Sequence, residues 1–335
     1  MRAWEIVSGG GVEALALNQR ETPTPRPGQV RIELRASSIN YRDLTTIEDP
    51  ISRNLPLPTV PNSDGAGVVT AVGDGVSEFA IGERVMSAFF EDWDSGPVTT
   101  KAMSSALGGA RQGVLAEQFV LDARGVVAMP EYMSFTQAAT LPCAALTAWH
   151  ALTRPGPVRA GETVLLLGTG GVSVFAQQFC NLMGVRTIVT SSSDAKLERM
   201  RALGATDTVN YRSVPEWDDA VLELAHGGVD RVIEVGGPGT LSKSIRAVRV
   251  GGTIALIGVL TGAAGTITPT DIMRKSLTIR GIYVGHRQMF EEMNAALTLH
   301  QLQPVIDEVF GFEQARDAFT TMRAAQHFGK LVIEV

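Results

Sequence analysis

The sequence predicts an α/β protein in two parts: a β-rich unit, and a doubly wound parallel sheet flanked by helices. Three observations carry this. From residue 162 onward, apolar runs and amphipathic stretches alternate, as a parallel sheet with crossover helices requires. Residues 162–173, Glu-Thr-Val-Leu-Leu-Leu-Gly-Thr-Gly-Gly-Val-Ser, read as a buried strand, a glycine turn and the start of a helix. About half of the chain precedes that turn, and there short β runs are punctuated by Gly73, Asp74, Gly75 and Gly82.

In chain order, residues 30–34 alternate as a strand, and 65–72 and 80–85 are short β runs. Pro56, Pro58 and Pro61 exclude a central strand or a helix interior between them. Residues 91–113 are polar and rich in glycine, a long loop of the kind that lines sites. Ser134 with Gln137 forms a capping box that opens a helix running to about Arg154, which Pro142 should interrupt. Strands are then expected at 163–168, 185–190, 207–209, 229–235, 252–258 and 277–283, with helices near 171–183, 194–203, 216–225 and 239–248. The apolar run 254–260 reads as a core strand. A helix near 313–324 and a strand at 330–335 return the C-terminus to the first unit.

The glycine turn has the context that holds a dinucleotide pyrophosphate. Gly168 and Gly170 permit the tight turn and a close backbone approach. Val172, Phe175, Ala176, Phe179, Cys180 and Met183 recur at helical spacing, so one stripe packs on the sheet. The helix N-terminus then offers free N–H groups and the positive end of its dipole to phosphate. Ser173 takes the third glycine position, where a small residue is tolerated because that glycine serves helix packing. A protein that prefers NAD carries Asp or Glu roughly 20 residues on, at the end of the second strand. Here that place holds Ser191, Ser192 and Ser193, and Lys196 opens the next helix, so NADP(H) is preferred over NAD(H), with Asp194 as a counterweight.

Composition excludes several function classes. The 335 residues carry a net charge of −6, 44% hydrophobic and 19% charged residues, with an isoelectric point near 5.5. That balance gives no electrostatic footprint for nucleic acid or an anionic membrane. No signal-peptide pattern opens the sequence, and no apolar run approaches the roughly 20 residues of a membrane helix. Two cysteines, Cys143 and Cys180, are too few for a disulfide scaffold and fit a reducing cytoplasm. Cys180 lies on the apolar helix stripe and reads as core. His150 stands two helical turns from Cys143, too far along an axis to share one metal.

Five segments resemble the medium-chain dehydrogenase/reductase superfamily, and within it the zinc-independent branch that includes quinone oxidoreductases. They are Ala36-Ser-Ser-Ile-Asn-Tyr-Arg-Asp43, Val60-Pro-Asn-Ser-Asp-Gly-Ala-Gly67, Ala138-Ala-Thr-Leu-Pro-Cys-Ala-Ala-Leu-Thr-Ala-Trp149, Gly168-Thr-Gly-Gly-Val-Ser173 and Leu203-Gly-Ala-Thr-Asp207. The resemblance implies a GroES-like catalytic domain at 1–125 and 298–335, with a Rossmann NADP(H)-binding domain at 126–297 between its halves. Zinc-dependent members take ligands from the first three segments, where this chain has Asn40, Ser63 and Cys143. One thiolate cannot supply the three protein ligands of a catalytic zinc, and 91–113 lacks the cysteines of a structural zinc lobe, so no metal is expected. Cys143 becomes a small wall residue.

The resemblance further implies a cofactor set of Thr147, Gly168, Thr169, Gly170, Gly171, Val172, Ser191, Ser192, Lys196, Tyr211, Gly236, Gly258 and Lys330, with Thr147 at the nicotinamide, Tyr211 at the adenosine side and Lys330 at the mouth of the cleft. Asn40 and Tyr41 are the expected catalytic pair: Asn40 orients ribose or substrate oxygen, and Tyr41 donates to the product oxyanion. Asp43 reads as an ion-paired structural carboxylate. Phe89, Phe90 and Trp93 suit either a flat apolar substrate or the core. The implied protein is a cytoplasmic homodimer, paired through the strand at 277–283, that reduces quinones or α,β-unsaturated carbonyls with NADPH. Two alternatives stand: a zinc-free alcohol dehydrogenase acting on activated or aromatic alcohols, and a non-catalytic NADPH binder serving as a sensor or structural protein.

Overall fold

The computed structural model describes residues 1–154 and 156–335, which form two compact units, Met1–Leu146 with Gly285–Val335, and Thr147–Val284. The first unit opens with β1 (Arg2–Ile6), β2 (Leu15–Gln19), β3 (Gln29–Ile39), helix α1 (Tyr41–Glu48), β4 (Asp64–Val72) and β5 (Arg84–Ser87). A short helix α2 (Thr100–Met103), β6 (Gln118–Asp122), β7 (Val126–Ala128) and α3 (Phe135–Ala138) follow. Ser134 and Gln137 cap α3 reciprocally, and the chain then makes a π turn through Pro142 before α4 (Leu146–Thr153), so the interruption expected at that proline is present.

The second unit holds β8 (Thr163–Leu167), α5 (Gly171–Leu182), β9 (Arg186–Ser191), α6 (Asp194–Ala202), β10 (Asp207–Asn210), α7 (Trp217–Leu224), β11 (Val229–Glu234), α8 (Pro238–Ala247), β12 (Val248–Leu256), α9 (Pro269–Arg274) and β13 (Thr278–Gly281). Its six strands are parallel in the order β10-β9-β8-β11-β12-β13. The order reverses between β8 and β11, which is where open α/β sheets bind ligands, beyond the carboxyl ends of the strands. Leu165, Ile188, Val232 and Ile254 pack beneath α7 and α8 in one core.

The chain returns to the first unit through α10 (Arg287–His300), β14 (Ile306–Gly311), α11 (Ala315–Ala324) and β15 (Lys330–Glu334). There β15 pairs antiparallel with β3, completing a sheet β14-β15-β3-β4-β5-β7 with β6 also on β3. One core lies under α1 and α11, around Ile39, Leu44, Ile47 and Phe319, and another around Val30, Val69, Val85 and Val126.

Several elements differ from expectation. The units divide at Leu146 and Gly285, against expected boundaries at 125 and 298, because α10 packs on β7 and the Tyr132 hydroxyl donates to the carbonyls of Leu297 and Leu302. Four helices, α1, α2, α9 and α10, lie where the sequence predicts none, α2 within the expected loop 91–113, and β3 is longer than the run 30–34. The third short strand is Arg84–Ser87 rather than 80–85. The run 254–260 stops being strand at Leu256, and Val259 and Leu260 are exposed. Phe89, Phe90 and Trp93 pack edge to face and are buried, so they are core.

Candidate active site and nucleotide turn

In the first unit, α1 starts where β3 ends, because Asn40 is extended and its N–H donates to Asp43 Oδ2 at 2.9 Å. This places Tyr41 at the first helical position, 41% exposed, and buries Asp43 completely. Asp43 is ion-paired with Arg42 at 3.0 Å, as expected. The Arg42 guanidinium also donates to Leu107 O at 2.7 Å and lies 4.8 Å over the Phe89 ring, tying α1 to the loop 91–113. That loop holds its shape through ion pairs of Arg111 with Glu91 and Asp92.

A charged cluster is buried behind Asn40. Lys330 starts β15 and is 3% exposed, inside the unit rather than at a mouth. Its Nζ donates to Ile39 O at 2.9 Å and to Asn40 Oδ1 at 2.5 Å. Asp64, at the start of β4, accepts from Ser63 Oγ at 2.6 Å and from Cys143 N at 3.1 Å. Burial raises its carboxyl to about 6, and the Lys330 charge opposes that rise. Burial also lowers Lys330 and pushes the Cys143 thiol far up, an effect that Asp64 reinforces. Cys143 is thus a buried neutral wall residue. Iodoacetamide at pH 8 is expected to leave both cysteines of the native protein unmodified while labelling both after denaturation, as read by mass spectrometry. Rapid native labelling of Cys143 would contradict this. Asp64 is a site residue that sequence reasoning missed, and its signal is a carboxylate opening an otherwise apolar strand, Asp64-Gly-Ala-Gly-Val-Val.

In the second unit, Gly168 N donates to Thr190 O at 2.8 Å with φ at +74°. Gly170 is the residue before α5 and is extended, with φ −80° and ψ −178°. A Cβ added at Gly168 or at Gly170 would meet nothing within 4 Å, so both face open space in front of the free N–H groups of α5. Ser173 is buried and its hydroxyl donates to Leu167 O at 2.7 Å, which accounts for serine at the third glycine position. Phe175, Ala176, Phe179 and Cys180 are buried on the sheet as the helical stripe requires, while Val172 and Met183 are partly exposed.

At the end of β9, Ser193 caps α6 by accepting from Lys196 N, and Tyr211 N donates to Ser191 O at 3.1 Å. Ser192 and Lys196 are half-buried and Tyr211 is exposed. Asp194 accepts from Asn210 Nδ2 at 2.7 Å, a contact that turns its carboxylate toward Asn210. Thr147 and Thr169 are buried. Gly236 and Gly258 differ from Gly168 and Gly170: their added Cβ atoms would lie 2.2 Å from Thr240 Oγ1 and 2.0 Å from Val235 O, so internal packing explains both. Sequence reading missed Glu234, fully buried at the end of β11, whose carboxylate accepts from Gly236 N, Gly237 N, Thr240 Oγ1 and Ser244 Oγ. A charged residue ending an apolar strand was its signal.

His150 is buried with Nδ1 2.7 Å from Val284 O, and His286 caps α10. Among the described residues, no group of three or more His, Cys, Asp or Glu side chains could hold a metal ion, and no helix is long and apolar enough to cross a membrane.

Comparisons with known proteins agree with this geometry. An alcohol dehydrogenase GroES-like domain model matches residues 26–131, and a zinc-binding dehydrogenase model matches 171–299. A zinc-type alcohol dehydrogenase-like protein of Schizosaccharomyces pombe is 41% identical over 97% of this chain and 96% of its own. Human quinone oxidoreductase is 30% identical over 95% and 92%. A crystal structure of an NAD-dependent alcohol dehydrogenase superposes with a TM-score of 0.91 at 34% identity, covering all of both chains. With a GroES-like unit split around a Rossmann sheet and a glycine turn between β8 and α5, the chain belongs to the medium-chain dehydrogenase/reductase superfamily of oxidoreductases.

Proposed function

We propose that this oxidoreductase is metal-independent, prefers NADP(H), and reduces a quinone or an α,β-unsaturated carbonyl. The observation that carries the reading is the buried set behind Asn40: one neutral thiol, a carboxylate engaged by Ser63 and Cys143, and an ammonium group in their midst. As a zinc donor set this fits poorly, because zinc wants three deprotonated or neutral donors and an open position, not a lysine. The resemblance to human quinone oxidoreductase supports the same side.

A reduced nicotinamide, when bound, supplies a hydride. The backbone of Gly168–Val172 and the α5 N-terminus would hold its pyrophosphate, with Thr169 and Thr147 beside the bound cofactor. Ser191, Ser192 and Lys196 would meet a 2′-phosphate, and Tyr211 the adenosine side. Hydride addition to a conjugated carbonyl leaves negative charge on oxygen, so the protein must offer donors where a metal would otherwise act. Asn40 and Tyr41 are those donors here. Lys196→Ala should raise the Michaelis constant for NADPH several-fold and leave that for NADH unchanged. Equal effects on both would refute the preference.

The direct test is NADPH consumption by chelator-treated protein offered a simple quinone and a simple enone. Turnover of either supports the reading; none with both sinks it. A second reading, oxidation of activated alcohols, draws on the alcohol dehydrogenase relatives, one titled NAD-dependent. Chelator-insensitive reduction of NADP⁺ by an aromatic alcohol would favour it, and tight NADPH binding with neither activity would point to a non-catalytic binder. We assign a cytoplasmic homodimer: β13 is an edge strand, and Val259, Leu260 and Met273 are exposed in the same unit. Sedimentation at twice the chain mass would support this, and a monomer would end it.

A further inference from the structure

Asp194 is the residue that counts against a phosphorylated cofactor, and the fold gives its carboxylate a partner. Asn210 ends β10, is half-buried, and donates from Nδ2 to Asp194 Oδ1 at 2.7 Å. Its own Oδ1 accepts from Arg212 N at 2.9 Å. The amide therefore cannot turn over, because that would set Oδ1 against a carboxylate and Nδ2 against an N–H. The backbone here is held too: Asn210 O accepts from Val214 N at 2.9 Å and from Ser213 Oγ at 3.1 Å. Asn210 is also the register partner of Ser191 on β9, and Tyr211 N donates to Ser191 O at 3.1 Å, so the turn is fastened to the strand end that carries the serines. Asp194, by contrast, is exposed where α6 opens, and without Asn210 its side chain could take other directions. We infer that Asn210 is a specificity-determining residue: by holding the Asp194 carboxylate toward β10, it keeps negative charge off the Ser191–Ser192 end of β9 and leaves that place open to a 2′-phosphate.

This rests on the proposed NADP(H) preference and names what sets it. A carboxylate at the end of the second strand suits the ribose hydroxyls of NAD(H) and repels a 2′-phosphate. Asp194 brings such a group close to that place, and Asn210 decides which way it points. Released, the carboxylate would favour NADH and oppose NADPH. The two cofactors differ only in the 2′-phosphate, so the ratio of their affinities reports the direction of Asp194, whereas damage to the turn as a whole weakens both.

The test reads the dissociation constants of NADPH and NADH by fluorescence titration, with no turnover required. Asn210→Ala should lower the affinity for NADPH relative to NADH by about fivefold or more, the effect of one carboxylate brought near a phosphate in water. Asp194→Asn alone should move that ratio by less than about twofold, because the carboxylate already points away, and combined with Asn210→Ala it should return the ratio to within about twofold of wild type. A purely structural role for Asn210 predicts no such rescue, since the contact with Arg212 stays lost. A ratio unchanged in Asn210→Ala, or a fall that Asp194→Asn does not reverse, overturns the inference. A wild-type protein that binds both cofactors equally ends the NADP(H) preference, and the same two comparisons still judge Asn210. Binding of neither cofactor overturns both.

Discussion

Gly170→Val is expected to leave the protein folded and to weaken NADPH binding by at least about 100-fold, or roughly 2.7 kcal/mol. The two effects separate because of where this glycine sits. Its backbone is extended, φ −80° and ψ −178°, a conformation open to any residue, and an added Cβ touches nothing within 4 Å. The new side chain thus costs the free protein little. It occupies the space before the α5 N–H groups where a pyrophosphate would lie, so the cost falls on the ligand. Thermal midpoints measured without cofactor should agree within about 3 °C, since binding itself would raise them. Gly258→Ala is the contrast, because its Cβ would fall 2.0 Å from Val235 O and must displace backbone. That variant should lose stability first and cofactor only as a consequence. Unchanged NADPH affinity in Gly170→Val would remove the glycine turn from the site.

The difference between these glycines marks what sequence could and could not reveal. Gly168 and Gly170 were legible because the strand before them and the helix after them are written in local periodicity. Gly236 and Gly258 look the same in sequence, yet their smallness answers to Thr240 and Val235, neighbours that only the folded chain supplies. Helix α1 leaves a weak mark in the sequence because its capping partner Asp43 reads equally as an ion-pair carboxylate, and because its apolar residues, Leu44 and Ile47, fill less than two turns. Lys330 was expected near a ligand on motif alone. Its burial follows from β15 pairing with β3, which puts its ammonium under Asn40, a contact 290 residues apart in sequence. Long-range strand pairing of this kind leaves no local trace.

The same buried cluster contributes to the pH dependence of stability through Asp64. Asp64 titrates near 3.8 when exposed and at about 6 in the fold, chiefly because it is buried. Between these values the native state binds the proton that the unfolded state has released, so stability conferred by neutral Asp64 is complete below about pH 4 and is lost as pH rises toward 6. The loss is on the order of 2–3 kcal/mol. Above pH 6 the carboxylate is charged, and Lys330 is its cation, with Asp43 also present but paired to Arg42. Lys330→Met should therefore destabilise the protein by about 3 kcal/mol at pH 8, where it strands a buried charge, and by far less at pH 5, where Asp64 carries its own proton. Asp64→Asn should flatten the wild-type slope between pH 4 and 6 and recover at least half of the pH 8 loss when combined with Lys330→Met. Urea unfolding of the four proteins at both pH values reads every term of this cycle. Additive losses, or a Lys330→Met effect equal at pH 5 and pH 8, would show that the two groups do not sense each other, and that the ammonium is held by Ile39 and Asn40 alone.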